Sequence, residues 1–367
     1  MSSKKDKSNN LDNYFMSIAM NLAKERIGLT GLNPSVGCVI VKNNKILSFG
    51  QTGFNGRPHA ETMAINMCNK NEITDSSIYI TMEPCTHYGK TPPCTKALIE
   101  SGVKRVIFSI KDSDDRSHNK AKRILGSKNI LTKSGLLYNE AKKFYKSYNY
   151  AKLKKFPYII GKIACSSDYY IARNNSPITN EYSRKISHLL RYKNQGILTS
   201  YKTINTDNPK LDCRLYGLEK FSPIKIIIDK DLKVNSNSHI AKNSTRSKTI
   251  IFHNSKNNKK IKILKKNGIK LIYFKINKNK YFDLREMLKK IYSLGIHTLL
   301  IECGSILTNE MVSKNLFNEF YFFQSNKKLT NKLKINVFKI KTKLNRKFKN
   351  KYYVNTYLDK DKLMHYY

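Results

Sequence analysis

The sequence predicts two α/β domains in tandem, and three observations carry that prediction. Its 367 residues exceed the ~100–200 residues of one ordinary domain. Apolar runs of strand length alternate with helix-period segments through both halves. The run "KLKKFP", Lys152–Pro157, interrupts the pattern with charge and a proline before "YIIGKIAC" opens a fresh strand. The expected domains are therefore 1–150 and 151–367, with 325–367 as a divergent basic tail.

The elements follow in order. "LDNYFMSIAMNLAKERIG" (11–28) places Leu11, Tyr14, Phe15, Ile18 and Leu22 on one helical face, with Asp12 near the start and Gly28 as the stop. The preceding "MSSKKDKSNNLDN" lacks the apolar centre of a signal peptide and reads as a short disordered lead-in. "VGCVIVKNNKILSFG" is two apolar runs split by "KNN", a hairpin signal. A helix from His59 through Met67, a strand Ser77–Thr81, a helix Cys94–Ser101, a strand Arg105–Ile110 and further signals up to Tyr150 make the first domain three-layered, with a partly parallel sheet. Beyond the break come helix Asn180–Tyr192 and strands Gly196–Ser200, Ile224–Asp229 and Thr249–Phe252. Then follow helix Lys259–Lys266, strand Lys270–Phe274, helix Phe282–Leu294, strand Thr298–Glu302 and a helix from Gly304. No G-x-G-x-x-G follows a strand, so a Rossmann fold is not supported.

Composition narrows the function. No run of about 18 apolar residues exists, so no membrane span is expected, and the expected location is the cytoplasm. Seven cysteines without a secretory signal argue for reduced thiols. Cys38, Cys68, Cys165, Cys213 and Cys303 read as buried filler. The formal charge of +43, from 69 Lys+Arg against 26 Asp+Glu, normally points to nucleic acid. Here the lysine excess is diffuse and accompanies abundant Asn, Ile and Tyr with no Trp, which compositional drift explains. Nucleic acid is therefore not the expected partner, although Lys327–Lys349 is the best candidate for a phosphate-tracking face. The phosphate of a small substrate is the simpler beneficiary of positive potential.

The chemistry concentrates in "TMEPCTHYGKTPPC", Thr81–Cys94, and in "RPHAETMA". His59 and Glu61 flank one residue at a predicted helix start, while Cys85 and Cys94 bracket a loop stiffened by Pro92 and Pro93. One imidazole and two thiolates form a three-ligand zinc set that leaves a fourth position for water. Helix N-termini favour thiolates over thiols. Glu61, next to the ligand but not one itself, is placed to take a proton from the attacking water and pass it to a leaving amine, as in the zinc deaminases. The alternative is a structural zinc knot that recruits a fourth ligand such as His87.

"NPSVGCVIV" (Asn33–Val41), "HAE" (His59–Glu61) and "EPCTHYGKTPPC" (Glu83–Cys94) resemble the deaminase half of the bifunctional riboflavin-biosynthesis deaminase/reductases. That resemblance implies a cytidine-deaminase-like first domain and a substrate carrying ribose phosphate, held by Asn33, His87 and Lys90. Turn formation for Asn33 and solvation for His87 and Lys90 are the bland readings. The stretch from Lys155 to Arg214 and "LLIECGSIL" resemble the family's reductase half, which implies a dihydrofolate-reductase-like α/β fold and NADPH. The matching positions are Lys162, Cys165, Ser166, Asp168, Thr179, Arg184, Thr203, Asp207, Leu211, Arg214, Glu302, Gly304 and Ser305. Among them Arg184, Leu211, Arg214 and Glu302 are the implied substrate contacts, and Cys165, Thr203, Asp207, Gly304 and Ser305 the cofactor contacts. Lys162 is the candidate to polarise or protonate the carbonyl, against a plain strand-end lysine.

The implied activity is zinc-dependent deamination of 2,5-diamino-6-(5-phosphoribosylamino)pyrimidin-4-one, then NADPH reduction of the ribosyl side chain to ribityl, in a homo-oligomer. Departures from the family pattern cluster in the second half: Tyr169 for a turn glycine, Pro177 for a tryptophan, Lys230 for a serine, and Cys303–Gly304 for paired glycines. A deaminase whose second half survives as scaffold or dimer interface is the alternative, and a nucleic-acid deaminase the more remote one.

Overall fold

The computed structural model describes residues 2–172, 177–244, 248–329 and 334–367. The chain divides into two compact units, Met1–Lys155 and Phe156–Tyr367, and the division falls within the "KLKKFP" run. Lys155 takes left-handed backbone, φ 50°, where the helix Lys146–Lys154 ends.

In the first unit, β1 (Gly37–Lys42), β2 (Lys45–Gln51), β3 (Ser77–Met82), β4 (Arg105–Ile110) and β5 (Leu131–Ser134) form a sheet ordered β2-β1-β3-β4-β5. β1 is antiparallel to β2 and β3, whereas β3, β4 and β5 are parallel. The hairpin turns on Asn43 and Asn44, at φ 50° and 60°, the left-handed pair that asparagine tolerates. Side chains alternate across the sheet. Val39, Val41, Tyr79 and Ile107 face Phe15, Met16 and Ala19 of the first helix. Cys38, Ile40, Ile78, Ile80, Val106 and Phe108 face Ala60, Ala64 and Leu98 from the other side.

The first helix spans Ser2–Lys24; the lead-in expected to be disordered falls largely on residues 1–9, which lie outside the residues whose burial is described, while Asn10–Asn13 are helical. Its inward face departs from expectation: Leu11 and Tyr14 are exposed at 39% and 59%, while Asp12, Met16, Ala19, Met20 and Ala23 are buried beside Phe15. The cause is close approach to β1, because a Cβ on Gly37 would stand 1.9 Å from the Ala19 carbonyl oxygen. Only small side chains fit there. Buried Asp12 accepts from the Tyr79 hydroxyl at 2.7 Å and Lys133 Nζ at 2.9 Å.

The second unit contains β6 (Tyr158–Cys165), β7 (Tyr170–Ala172), β8 (Gly196–Ser200), β9 (Ile224–Ile228), β10 (Thr249–His253), β11 (Lys270–Tyr273), β12 (Thr298–Ile301), β13 (Glu319–Gln324), β14 (Lys334–Asn336), β15 (Lys351–Tyr353) and β16 (Lys362–Tyr366). Nine of them form one sheet ordered β11-β10-β9-β8-β12-β6-β13-β16-β15, and β14 pairs with β7 apart from it. From β11 to β13 the neighbours are parallel, and β16 and β15 close the edge antiparallel. Because β12 inserts between β8 and β6, the carboxyl ends of strands distant in sequence meet, where parallel sheets gather their ligands.

The basic tail is an integral part of this unit. Helix Phe338–Lys347 buries Ile340 and Leu344, and β16 buries Leu363 and Tyr366. Three of its lysines turn inward: Lys341 donates to the Tyr169 hydroxyl, Lys343 to Asn309 Oδ1 and Ser313 Oγ, and Lys347 to the Phe317 carbonyl. The expected phosphate-tracking face thus has internal partners at these positions. Residues 330–333 of it lie outside the described residues, as does the loop 173–176 ahead of Pro177.

All seven cysteines are free. Cys38, Cys68, Cys165 and Cys213 are buried, while Cys303 is only partly so. No helix among the described residues is long and apolar enough to cross a membrane.

Candidate active sites

In the first unit His59 is the N-cap of helix Ala60–Met67, and Glu61 lies buried in that helix's first turn. Cys94 opens helix Cys94–Glu100 behind Pro93, whose φ of −66° suits a cap. Cys85 follows β3 in the loop, and the Cys94 N–H donates to its sulfur at 3.3 Å. His59 Nδ1 stands 3.1 Å from Cys94 Sγ and 3.6 Å from Cys85 Sγ. All three ligand atoms lie within 4.8 Å of one another. Zinc bonds of about 2.0–2.3 Å at tetrahedral angles require separations of about 3.6 Å, so the donor set fits a zinc ion. The outer nitrogen, His59 Nε2, is 2.5 Å from Arg57 Nη1, which also bonds Thr91 Oγ1.

The two thiols divide their roles even before metal enters. A hydrogen bond from Cys94, opposed by burial and aided by His59, brings Cys85 down to about 4. The same contact and burial push Cys94 up. Burial raises the Glu61 pKa, with the His59 charge opposing and Cys85 reinforcing. A buried carboxyl at the helix start with a raised pKa suits a proton carrier.

The rim is organised by groups that local pattern did not reveal. Glu83 of the "EPC" run accepts three backbone N–H bonds, from Asp112 at 3.2 Å, Asn119 at 3.1 Å and Ala121 at 3.1 Å. It thereby ties the loop after β4 to the zinc loop. Ser117 on that loop meets His87 Nδ1 at 3.0 Å, and burial with the Arg116 charge lowers the His87 pKa. Asn33 Nδ2 donates to the Gly56 carbonyl at 2.9 Å, so half of its amide is engaged in holding the rim. Lys90 is exposed on the loop.

In the second unit β6 and the carboxyl end of β12 assemble a largely buried ion cluster, whose side chains are 11–15% exposed. Arg191, on helix Glu181–Tyr192, donates through Nε and Nη2 to the two oxygens of Glu302 at 2.8 and 2.9 Å. Lys162 Nζ lies 3.7 Å from the same carboxylate. Burial would raise Glu302, but Arg191 and then Lys162 more than reverse this and hold it at about 2. Burial lowers Lys162, and Glu302 resists that fall. Arg191 escaped the sequence reading because nothing in its helix marks it apart from its neighbours; only its fork geometry against Glu302 does.

The other expected positions spread around this cluster. Arg184 donates to the Thr179 carbonyl at 2.7 Å. Leu211 is buried at φ 51°, its side chain in the core, leaving only its backbone to meet a ligand. Arg214 is exposed and pairs with Asp212 at 2.7 Å. Thr203 lies in the first turn of helix Tyr201–Asp207, capped by Ser200, and burial raises the pKa of Asp207 at its end. Cys165 points its thiol into the sheet, towards the Phe323 carbonyl at 3.6 Å, which leaves its backbone for any cofactor contact. In the turn beyond it, Ser166 Oγ donates to Asp168 Oδ1 at 2.5 Å. Gly304 caps helix Ser305–Ser313 without a side-chain bond, and the space a Cβ would occupy there is open. A bare helix start of this kind fits a cofactor phosphate.

The family described as "Cytidine and deoxycytidylate deaminase zinc-binding region" matches residues 9–110. The "RibD C-terminal domain" matches residues 157–329. The "Riboflavin biosynthesis protein RibD" of Aquifex aeolicus is 33% identical over 316 residues, covering 85% of this chain and 86% of its own. That of Bacillus amyloliquefaciens is 31% identical over 316 residues, covering 85% and 84%. The Acinetobacter baumannii RibD structure aligns with a TM-score of 0.84 at 24% identity, over 98% of this chain and 99% of that one, a likeness of fold. A diaminohydroxyphosphoribosylaminopyrimidine deaminase/5-amino-6-(5-phosphoribosylamino)uracil reductase from Thermotoga maritima gives 0.80 at 26% identity over 98% and 99%. A zinc deaminase joined to a dihydrofolate-reductase-like reductase is the class that this fold and these clusters define. The chain belongs to the RibD family, the bifunctional deaminase/reductases of riboflavin biosynthesis.

Proposed function

We propose that His59, Cys85 and Cys94 hold the zinc of the deaminase, that Glu61 carries its proton, and that Lys162, Arg191 and Glu302 line the reducing site. The substrate is 2,5-diamino-6-(5-phosphoribosylamino)pyrimidin-4-one, and its deaminated product is reduced from ribosyl to ribityl. One observation carries the first half: three zinc-type donors within 4.8 Å of one another, with buried Glu61 one helical position beyond the imidazole's neighbour.

Zinc, when bound, supplies a water acidified to a pKa of about 7. Glu61 takes a proton from the attacking water and returns one to the departing amino nitrogen, so that ammonia leaves and a ring carbonyl remains. Asn33, His87 and Lys90 sit on the rim to receive the ribose phosphate. In the second unit NADPH, when bound, supplies the hydride. Lys162, beside the Glu302 carboxylate, donates towards the oxygen of the ring-opened sugar, while Arg191 and Glu302 orient the polyol. Gly304 and Ser305 offer backbone N–H groups to the cofactor phosphate.

The competing reading, a deaminase with a scaffold for its second half, draws on Tyr169, Pro177, Lys230 and Cys303. The ion cluster favours two live steps, since buried charges are a poor way to hold a core together. The same proposal places the enzyme in the cytoplasm, where seven free cysteines suit a reducing compartment. It also includes a homo-oligomer, with the exposed Tyr352 and Tyr353 of edge strand β15 as a surface for a second copy. The deciding experiment supplies the diaminopyrimidine ribosyl phosphate to zinc-loaded protein and follows ammonia and NADPH absorbance together. Coupled release and oxidation are expected; ammonia without NADPH consumption leaves only the deaminase.

A further inference from the structure

The turn after β6 carries Tyr169 where the family pattern has a glycine, and the tail meets it directly. Tyr169 sits at φ 64°, in the left-handed region where glycine is at ease and a bulky side chain is strained. Four contacts from the tail hold it there. The Val337 N–H donates to the Tyr169 carbonyl at 2.8 Å. Lys341 Nζ donates to the Tyr169 hydroxyl at 2.7 Å and lies 4.6 Å from the centre of its ring. Phe338 packs edge-on against the same ring at 5.1 Å. Beyond the turn, β7 pairs with β14, Tyr170 opposite Asn336.

The turn so held is closed from within. Tyr169 N–H donates to the Ser166 carbonyl at 3.0 Å, and Ser166 N–H to the Tyr170 carbonyl at 2.9 Å. Gln324 of β13 donates to the Ser167 carbonyl at 3.0 Å. The turn therefore stands at the carboxyl end of β6 beside the end of β13, where Gln324 pairs with Cys165, and β6 runs from it back to Lys162, which the β6–β12 register sets level with Glu302.

We propose that Lys341 is a positioning residue of the reductase, which acts through Tyr169 to hold the Cys165–Asp168 turn in the shape that receives a nicotinamide dinucleotide. The role rests on the reading of the second unit as an NADPH-dependent reductase. It explains why two departures, a tyrosine in the turn and a lysine-rich helix in the tail, occur in one chain: each supplies the other's partner. Lys341 reaches the phenol oxygen with a charged donor and Phe338 packs against the ring, so the tail restrains both the oxygen and the ring of Tyr169.

The test uses the full chain and four variants: Lys341→Met, Lys341→Arg, Tyr169→Gly and the Tyr169→Gly/Lys341→Met double. NADPH affinity is read directly from the fluorescence of the bound cofactor, and KM and kcat from its oxidation, with ammonia release as the control for intact protein. Lys341→Met is expected to weaken NADPH binding and raise its KM about tenfold, the size of one lost charge-assisted hydrogen bond, with kcat and ammonia release unchanged. Lys341→Arg should return most of that affinity. In the Tyr169→Gly background the methionine should add nothing, because the phenol it acted through is gone. An unchanged NADPH affinity in Lys341→Met overturns the proposal, and so does a full effect in the glycine background. If the unaltered protein binds NADPH but does not oxidise it, the reductase reading fails while the affinity comparison still decides the role of Lys341. If it binds none, both fall.

Discussion

The Glu302 carboxylate is gripped at both oxygens by the Arg191 guanidinium, at 2.8 and 2.9 Å, while Lys162 approaches it at 3.7 Å. Two cations around one buried anion leave the cluster with excess positive charge. An anionic or polyol ligand at the ends of β6 and β12 would be favoured by that excess, and loss of either cation disturbs both charge and geometry.

Arg191→Met removes the fork and leaves Glu302 with Lys162 alone. The expected result is a loss of about 3 kcal/mol in the stability of the second unit, the lower end for breaking a buried pair, with reduction lost and ammonia release retained. Urea unfolding and the coupled assay measure the two effects. Wild-type NADPH oxidation in this variant would remove Arg191 from the site.

Glu302 also sets a pH dependence. Its folded pKa, held at about 2, lies below its ordinary value of 4.5, so its contribution to stability is fully present above about pH 4.5 and is lost as the pH falls towards 2. The difference in urea midpoint between the natural protein and Glu302→Gln should be largest near neutrality and shrink through that window. A difference independent of pH would mean that the carboxylate charge contributes nothing.

Glu61→Gln keeps the size and helix position of the side chain but removes the proton carrier. Zinc content should stay at one per chain by metal analysis, and ammonia release should fall at least 10²-fold. Loss of zinc along with activity would instead place Glu61 among the groups that hold the metal.

Gly37→Ala tests the packing of the first helix on β1. The new Cβ would lie 1.9 Å from the Ala19 oxygen and 2.9 Å from the Ala23 nitrogen, so a destabilisation of about 3 kcal/mol is expected. Gly126→Ala is the control: nothing lies within 4 Å of its Cβ, and an alanine there should be neutral or stabilise by about 0.5–1 kcal/mol. Equal effects at the two positions in thermal unfolding would contradict the close approach.

The zinc donors and the α/β alternation were legible because each depends on residues close in sequence. His59 and Glu61 share one helix start, Cys85 and Cys94 one loop, and the Asn43–Asn44 turn lies between its own strands. The inward face of the first helix was not legible. Apolar size points to Leu11 and Tyr14, but contact with Gly37 selects Ala19 and Ala23. That choice depends on a strand that closes over the helix only after folding.

By itself, then, the sequence determined which chemical groups are available and where the chain changes direction, since dihedral preference and periodicity are local properties. The tertiary structure decided which charges meet. Inserting β12 beside β6 sets Glu302 beside Lys162 and within reach of Arg191, and folding the tail back gives Tyr169 its lysine. Such partners lie 111 and 172 residues apart along the chain, and a buried charge is tolerated only where folding supplies its counter-charge.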